Sequence, residues 1–205
     1  MSGVSHPIFA RVFDRLTRVS ERVVGPHRDA LVAGLSGRVV EVGAGNGANL
    51  HRYPAAVTEV VAVEPEPYLR RKAESAAAGT PVAVTVVDGT AEALPLEDGT
   101  CDAAVASLVL CTVPDPGVAL AEIRRVLKPG GELRFYEHVL AQDHRRARRQ
   151  HRLAPLWKRM AGGCHLDRDT VAAIERAGFT IERVDRFDLP KSGPVAPHVL
   201  GVARS

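Results

Sequence analysis

The chain has 205 residues, 45% hydrophobic and 25% charged, with a formal net charge of +3. This suits one globular domain with a single core. It argues against a disordered or low-complexity chain, and no apolar run reaches the roughly 20 residues that a membrane span needs. The three cysteines, Cys101, Cys111 and Cys164, form no C-x-x-C, and no H-E-x-x-H occurs. Neither a disulfide framework nor a metal site is therefore expected, and the expected setting is the reducing cytoplasm. The N-terminus has no signal-peptide stretch.

Residues 1–35 read as a helical cap. Val12, Phe13 and Leu16 recur at helical spacing, as do Val19, Val23 and Val24, and Gly25-Pro26 is expected to split the cap into two helices. Strands and helices then alternate. Valine-rich runs at 38–43, 59–64 and 82–87 read as three strands, followed by strands at 103–108 and 133–139. Short helices are expected at 48–53, 68–78 and 118–127, and Lys128-Pro129-Gly130-Gly131 reads as a turn. Residues 140–163 interrupt the alternation. Arg145, Arg146, Arg148, Arg149 and Arg152 give this segment a basic side, and Leu153, Leu156, Trp157 and Met160 an apolar stripe. It reads as a lid with the stripe turned onto the substrate. A helix at 170–177 and strands at 179–187 and 199–203 complete the chain. The pattern predicts a single α/β domain with a largely parallel sheet covered on both faces, its ligand beyond the carboxyl ends of the strands.

The strongest motif, Glu41-Val42-Gly43-Ala44-Gly45-Asn46-Gly47, joins the first strand to a helix. Gly43 permits a tight turn, while Gly45 and Gly47 let backbone approach a ligand. Glu64 closes the second strand, near the spacing at which a carboxylate grips a ribose diol. The Gly-x-Gly-x-Gly pattern differs from the Gly-x-Gly-x-x-Gly of NAD sites. Tyr68-x-x-x-Lys72 spells the short-chain dehydrogenase pair, but it follows Glu64 too closely and reads as a solvated helix face.

These residues, with Glu64-Pro65 and Leu127-Lys128-Pro129-Gly130-Gly131, resemble the class I methyltransferases that use S-adenosylmethionine (SAM). The resemblance implies a Rossmann-like seven-stranded sheet with an antiparallel last strand, and S-adenosylhomocysteine as product. It places Glu41, Gly43, Ala44, Gly45, Gly47 and Asn49 toward the methionine end of SAM. Glu64 is placed on the ribose, Pro65 against the adenine, and Asp88, Thr90 and Ala91 in the adenine loop. Many relatives carry Asp where this chain has Thr90, so backbone or Asp88 is expected to substitute. Ser107 falls where relatives offer a carbonyl to the SAM amino group.

Further stretches resemble the alkyl thiol S-methyltransferases: Leu108-Val109-Leu110-Cys111-Thr112-Val113, Glu137-His138-Val139, Gly163-Cys164 and Pro197-His198. That resemblance implies a small, partly apolar thiol as acceptor. His138, after the fifth strand, is the expected general base, because an imidazole titrates in the useful range. Cys111, Glu137, Trp157, Cys164, His165 and His198 are the expected pocket residues. Methylation of oxygen, nitrogen or carbon on a small molecule, quinone or phospholipid stays open, as does SAM binding without transfer. Nucleic acid is not an expected partner, because the basic run lacks interleaved aromatics and no Asn-Pro-Pro-Tyr follows the fourth strand. Transient membrane contact through the apolar stripe stays open, and the sequence does not give the oligomeric state.

Overall fold

The computed structural model describes residues 7–190 and 192–205, so residues 1–6 of the expected cap lie outside the described residues. Its valine-dense runs form one sheet. The strands are β1 (Gly37–Val42), β2 (Val57–Val63), β3 (Ala83–Val87), β4 (Cys101–Ser107), β5 (Leu127–His138), β6 (Thr180–Asp188) and β7 (Pro197–Arg204). Their order is β3-β2-β1-β4-β5-β7-β6. Strands β1 to β5 run parallel, and β7 runs antiparallel to both β5 and β6. The expected seven-stranded arrangement is therefore present. The order reverses between β1 and β4, opening the crevice where ligands sit in such sheets.

Alternation along each strand builds two cores. On one face Val40, Val42, Ala104, Ala106, Leu133 and Phe135 pack beneath α3 (Pro116–Val126) and α5 (Thr170–Arg176). On the other, Val39, Val60, Ala103, Val105 and Tyr136 lie with residues of α1 (Pro7–Val32) and α2 (Pro67–Ala77). Helices α2 and α3 each begin with proline in the first turn, behind a capping carboxylate. Glu66 accepts from Leu69 N–H, and Asp115 from Gly117 and Val118 N–H.

Three expectations need correction. Gly25-Pro26 does not end the first helix, and α1 runs through both residues. Pro26 removes one helical hydrogen bond, but packing holds the turn after it. His27 stacks on Phe187, Arg28 bonds Asn49, and Leu31 is buried. The short helix at 48–53 shrinks to one 3-10 turn, Leu50–Arg52. The turn at 128–131 is spliced into β5 as an irregularity, with Leu127 opposite Cys101, Glu132 opposite Ala103, and Gly130 at φ +73°.

The segment expected as a lid contains α4 (His144–Met160). Its expected underside is also corrected, because Leu153, Leu156 and Met160 are exposed and only Trp157 of the stripe turns inward. Gln150 moors the helix: its Oε1 accepts Ala141 N–H, and its Nε2 donates to the Val139 carbonyl. Seven residues on, Trp157 shares that face, whereas Leu153, Leu156 and Met160 share another.

Gly201 tests how tightly the sheet is filled. It sits between Phe135 of β5 and Val184 of β6, and a Cβ there would meet the Phe135 ring and lie 2.7 Å from the Arg183 carbonyl oxygen. We expect Gly201→Ala to lower stability by roughly 1–3 kcal/mol in urea unfolding, by overpacking. Gly79→Ala, with nothing within 4 Å, should leave the midpoint unchanged or slightly higher. Equal midpoints for Gly201→Ala and the parent would mean that the Phe135 ring moves aside freely.

Candidate active site

The crevice begins at the loop leaving β1. Gly43, Gly45 and Gly47 all adopt left-handed backbone, at φ 65°, 59° and 80°. Glycine alone does so without steric penalty. Each glycine also faces a neighbour. A Cβ on Gly43 would strike Val109, one on Gly45 would lie 3.3 Å from the Phe13 ring, and one on Gly47 would lie 3.0 Å from the Ala73 backbone. Gly47 is thus needed for α2 to pack, and Gly43 for the loop after β4.

Glu64 bridges the loop to the next strand. One carboxylate oxygen accepts Gly45 N–H at 2.8 Å and the other accepts Glu66 N–H at 2.9 Å. Burial raises its pKa, and these two N–H bonds pull it back. A carboxylate offers about four acceptor sites, so lone pairs remain for a ribose diol. Arg70 donates to the carbonyls of Glu64 and Pro65 and to Asp88, tying the end of β2 to the loop after β3. Asp88 is therefore engaged at the surface, while Thr90 and Ala91 follow it in a tight turn closed on Ala93.

Glu41 and Asn49 serve the loop from behind. Glu41 is 1% exposed and accepts from Asn49 Nδ2 at 2.7 Å and from Tyr53 OH at 2.9 Å. Asn49 Oδ1 accepts in turn from Arg28 at 2.8 Å. Burial raises the Glu41 pKa, opposed by Tyr53, Asn49 and the Arg28 charge. Both residues stand in the expected region, with side chains committed to this internal network. Asp14 of α1 holds the front of the loop, accepting from Asn46 Nδ2 at 2.9 Å and from Tyr68 OH at 3.3 Å. Phe13 stands over Gly45 beside it, so α1 covers the glycine loop.

The second half of the site forms where β4 and β5 end. Ser107 pairs with Tyr136 across the strands, and the hydroxyls of both are buried without a partner. Leu108 then turns at φ 60°, a left-handed conformation that is costly for a branched side chain. Glu137 fixes the turn. It is fully buried, and its oxygens accept N–H bonds from Val109, Leu110 and Cys111 at 2.9, 2.9 and 3.1 Å. From the other side Arg168 donates to the carbonyls of Leu110 and Val113. Glu137, expected as a pocket residue, thus acts as a scaffold.

His138 lies at the end of β5, 5% exposed, with Nε2 2.6 Å from Cys164 Sγ and Nδ1 buried without a partner. Trp157 Nε1–H donates to the same sulfur at 3.3 Å. Cys111 joins them, the three ligating atoms of Cys111, His138 and Cys164 lying within 4.8 Å of one another. Hydrogen bonds from Cys111, His138 and Trp157 hold the Cys164 thiol well below its ordinary range, and the shared Cys111 hydrogen bond with burial holds Cys111 well above it. His198, opposite His138 in the register, is buried, and burial lowers its pKa to about 4. Its ring stacks with Tyr136 and Phe187. His165 is half-buried and joins through its backbone, donating N–H to the Cys111 carbonyl. A cavity of about 230 Å³ opens beside this cluster, lined by Val139, Ala141, Arg146, Phe187, Asp188 and His198 among others.

The fold therefore gathers Gly43, Ala44, Gly45, Glu64 and Pro65 at one end, and Ser107, Cys111, His138, Cys164 and His198 at the other. Sequence reading missed Asp14, Arg168 and Gln150. Their partners lie across the fold, and neither spacing nor motif marks them.

A methyltransferase-domain family model matches residues 40–135. The thiol S-methyltransferase TMT1B of Homo sapiens is 36% identical over 179 residues, covering 84% of this chain and 73% of that protein. The human thiol S-methyltransferase TMT1A is 34% identical over 178 residues, covering 83% and 72%. A SAM-dependent methyltransferase of Thermotoga maritima, described as a possible histamine N-methyltransferase, superposes with a TM-score of 0.71 at 23% identity, covering 96% of this chain and 98% of that one. Its likeness concerns the fold. Sheet order, glycine loop and sequence identity together place this chain in the family of SAM-dependent methyltransferases that includes the thiol S-methyltransferases.

Proposed function

We propose that this chain transfers a methyl group from SAM to the sulfur of a small, partly apolar thiol. The observation that carries the reading is its 36% identity to a thiol S-methyltransferase over 84% of the chain. The cluster of Cys111, His138 and Cys164 at the ends of β4 and β5, beside the cavity that His198 lines, agrees with it.

Glu64 would hold the ribose hydroxyls through its remaining lone pairs, and the backbone of the Gly43 to Gly47 loop would line the methionine end with Ser107. Pro65, Thr90 and Ala91 border the adenine side. Glu41 and Asn49 keep the loop in shape behind these contacts. When bound, SAM supplies an electrophilic methyl group that already carries its leaving group. The protein's tasks are then alignment, exclusion of water and holding the acceptor sulfur as its thiolate. The acceptor sulfur is placed beside His138, Cys111 and Cys164. The thiol loses its proton to solvent and gains the methyl, and S-adenosylhomocysteine leaves. Among the described residues no helix is long and apolar enough to cross a membrane.

Cofactor binding is tested first. Glu64→Ala should weaken SAM binding by about 1–3 kcal/mol through lost charge-assisted hydrogen bonds. Gly45→Val should nearly abolish it, by sterics and by a backbone at φ 59°. Calorimetry showing unchanged affinity in both variants, with folding confirmed by circular dichroism, would remove this loop from the cofactor site.

The acceptor is tested with purified protein, labelled SAM, and thiols, phenols, amines and a lipid extract, products being identified by mass. Methylated thiols are expected. Methylation confined to oxygen, nitrogen or lipid acceptors would overturn the thiol reading and leave the methyltransferase assignment intact.

Cover by α1 makes a separate expectation. SAM should slow hydrogen exchange across the amides around Asp14, and Asp14→Ala should speed cofactor dissociation by releasing Asn46 and Tyr68. Identical exchange with and without SAM would make α1 ordinary packing.

A further inference from the structure

We propose that Cys111, His138 and Cys164 form a binding site for a thiophilic divalent cation, with zinc as its natural occupant. The three side chains come from separate segments: the loop after β4, the end of β5 and the segment after α4. Their ligating atoms nevertheless lie within 4.8 Å of one another. Cys111 and His138 are buried at 1% and 5% exposure, and Cys164 is at 9%. Two thiols and one imidazole are the donor set that suits zinc, which binds sulfur at about 2.3 Å and nitrogen at about 2.0–2.1 Å. Tetrahedral geometry at those lengths separates ligand atoms by about 3.5–3.8 Å. The cluster reaches that spacing with side-chain adjustments of roughly an ångström.

The details around the three atoms point the same way. His138 Nε2 and Cys164 Sγ stand 2.6 Å apart, closer than a usual N–H···O pair although sulfur is the larger atom. Parting them by about an ångström gives the separation of an imidazole and a thiolate on one zinc ion. Trp157 Nε1–H, 3.3 Å from Cys164 Sγ, occupies the place of an outer-shell donor to a metal thiolate. The loop carrying Cys111 is braced by Glu137 from its N–H side and by Arg168 from its carbonyl side. Such bracing is what a preorganised ligand requires. The Nε2 of this buried histidine meets the sulfur of Cys164, and its Nδ1 has no partner among the described residues.

Three protein ligands leave one tetrahedral position open, as in catalytic rather than structural zinc sites. Resting on the thiol reading above, that position takes the acceptor sulfur. A coordinated thiol gives up its proton outright, so His138 serves as a ligand where the sequence led us to expect a free base. The thiol proton passes to solvent on binding. The sulfur lone pair then forms the bond to the methyl carbon as the sulfonium–methyl bond breaks, leaving a neutral thioether that coordinates weakly and departs.

The experiment uses the full chain, purified without an affinity tag. Elemental analysis should find close to one zinc per chain. Titration of stripped protein with Co2+ should produce the strong near-ultraviolet bands of sulfur–cobalt charge transfer, saturating at one equivalent. Cys111→Ser and Cys164→Ser should each weaken Co2+ binding at least tenfold, while Cys101→Ser keeps it. Circular dichroism and SAM affinity report whether each variant is folded. No retained zinc and no charge-transfer band in folded parent protein would overturn the site, as would a Cys111–Cys164 disulfide in the protein as isolated. Addition of an alkyl thiol should shift the Co2+ spectrum, and removal of zinc should lower thiol turnover at least tenfold. Full turnover by stripped protein would overturn the catalytic role of the ion and leave the thiol reading standing. A cation bound at one equivalent, without methylation of any thiol, would sink the thiol reading and leave the cation site standing.

Discussion

The Glu137 carboxylate accepts three successive backbone N–H groups, from Val109, Leu110 and Cys111. The carboxyl ends of β4 and β5 are organised around this interaction. A buried carboxylate needs such partners, since without them desolvation would drive it to its neutral form. Three N–H groups without it would be left unpaired, at a cost of about 1–3 kcal/mol each. Each side therefore requires the other. The bonds hold Leu108 in a left-handed turn that it would not adopt unaided, bring Val109 against Gly43, and set Cys111 near His138 and Cys164.

The carboxyl ends of β1 and β2 repeat the device. Glu41 is committed to Asn49 and Tyr53, and Glu64 to the backbone of Gly45 and Glu66. The three differ in what they leave over. Glu41 and Glu137 are sealed from solvent, at 1% and 0% exposure, whereas Glu64 at 5% stands at the edge of the glycine loop. A residue type that looks catalytic in a sequence is here used to build a frame.

Much of the frame is legible in the sequence, because it rests on periodic burial. The valine runs have to be strands, and Gly43, Gly45 and Gly47 have to turn where side chains would collide. Element ends and reversals were less legible. Gly25-Pro26 looks like a break, yet His27, Arg28 and Leu31 find partners that keep the helix going. The stripe on α4 looks like an underside, but Gln150, a polar residue, decides which face turns inward. At the site, the local motif shows the cofactor end. The convergence of Cys111, His138 and Cys164 is invisible in one dimension, because three distant segments meet only after the sheet has formed.

One helix touches both ends of this site. Near its start, Phe13 and Asp14 rest on the glycine loop. Near its finish, His27 stacks on Phe187 and lies parallel to Tyr136, against the wall of the cavity that Phe187 and His198 line. A single helix spans the distance from the glycine loop to the ring stack, with Pro26 interrupting its hydrogen bonding just before His27. Both ends of the crevice thus share one packing partner, α1.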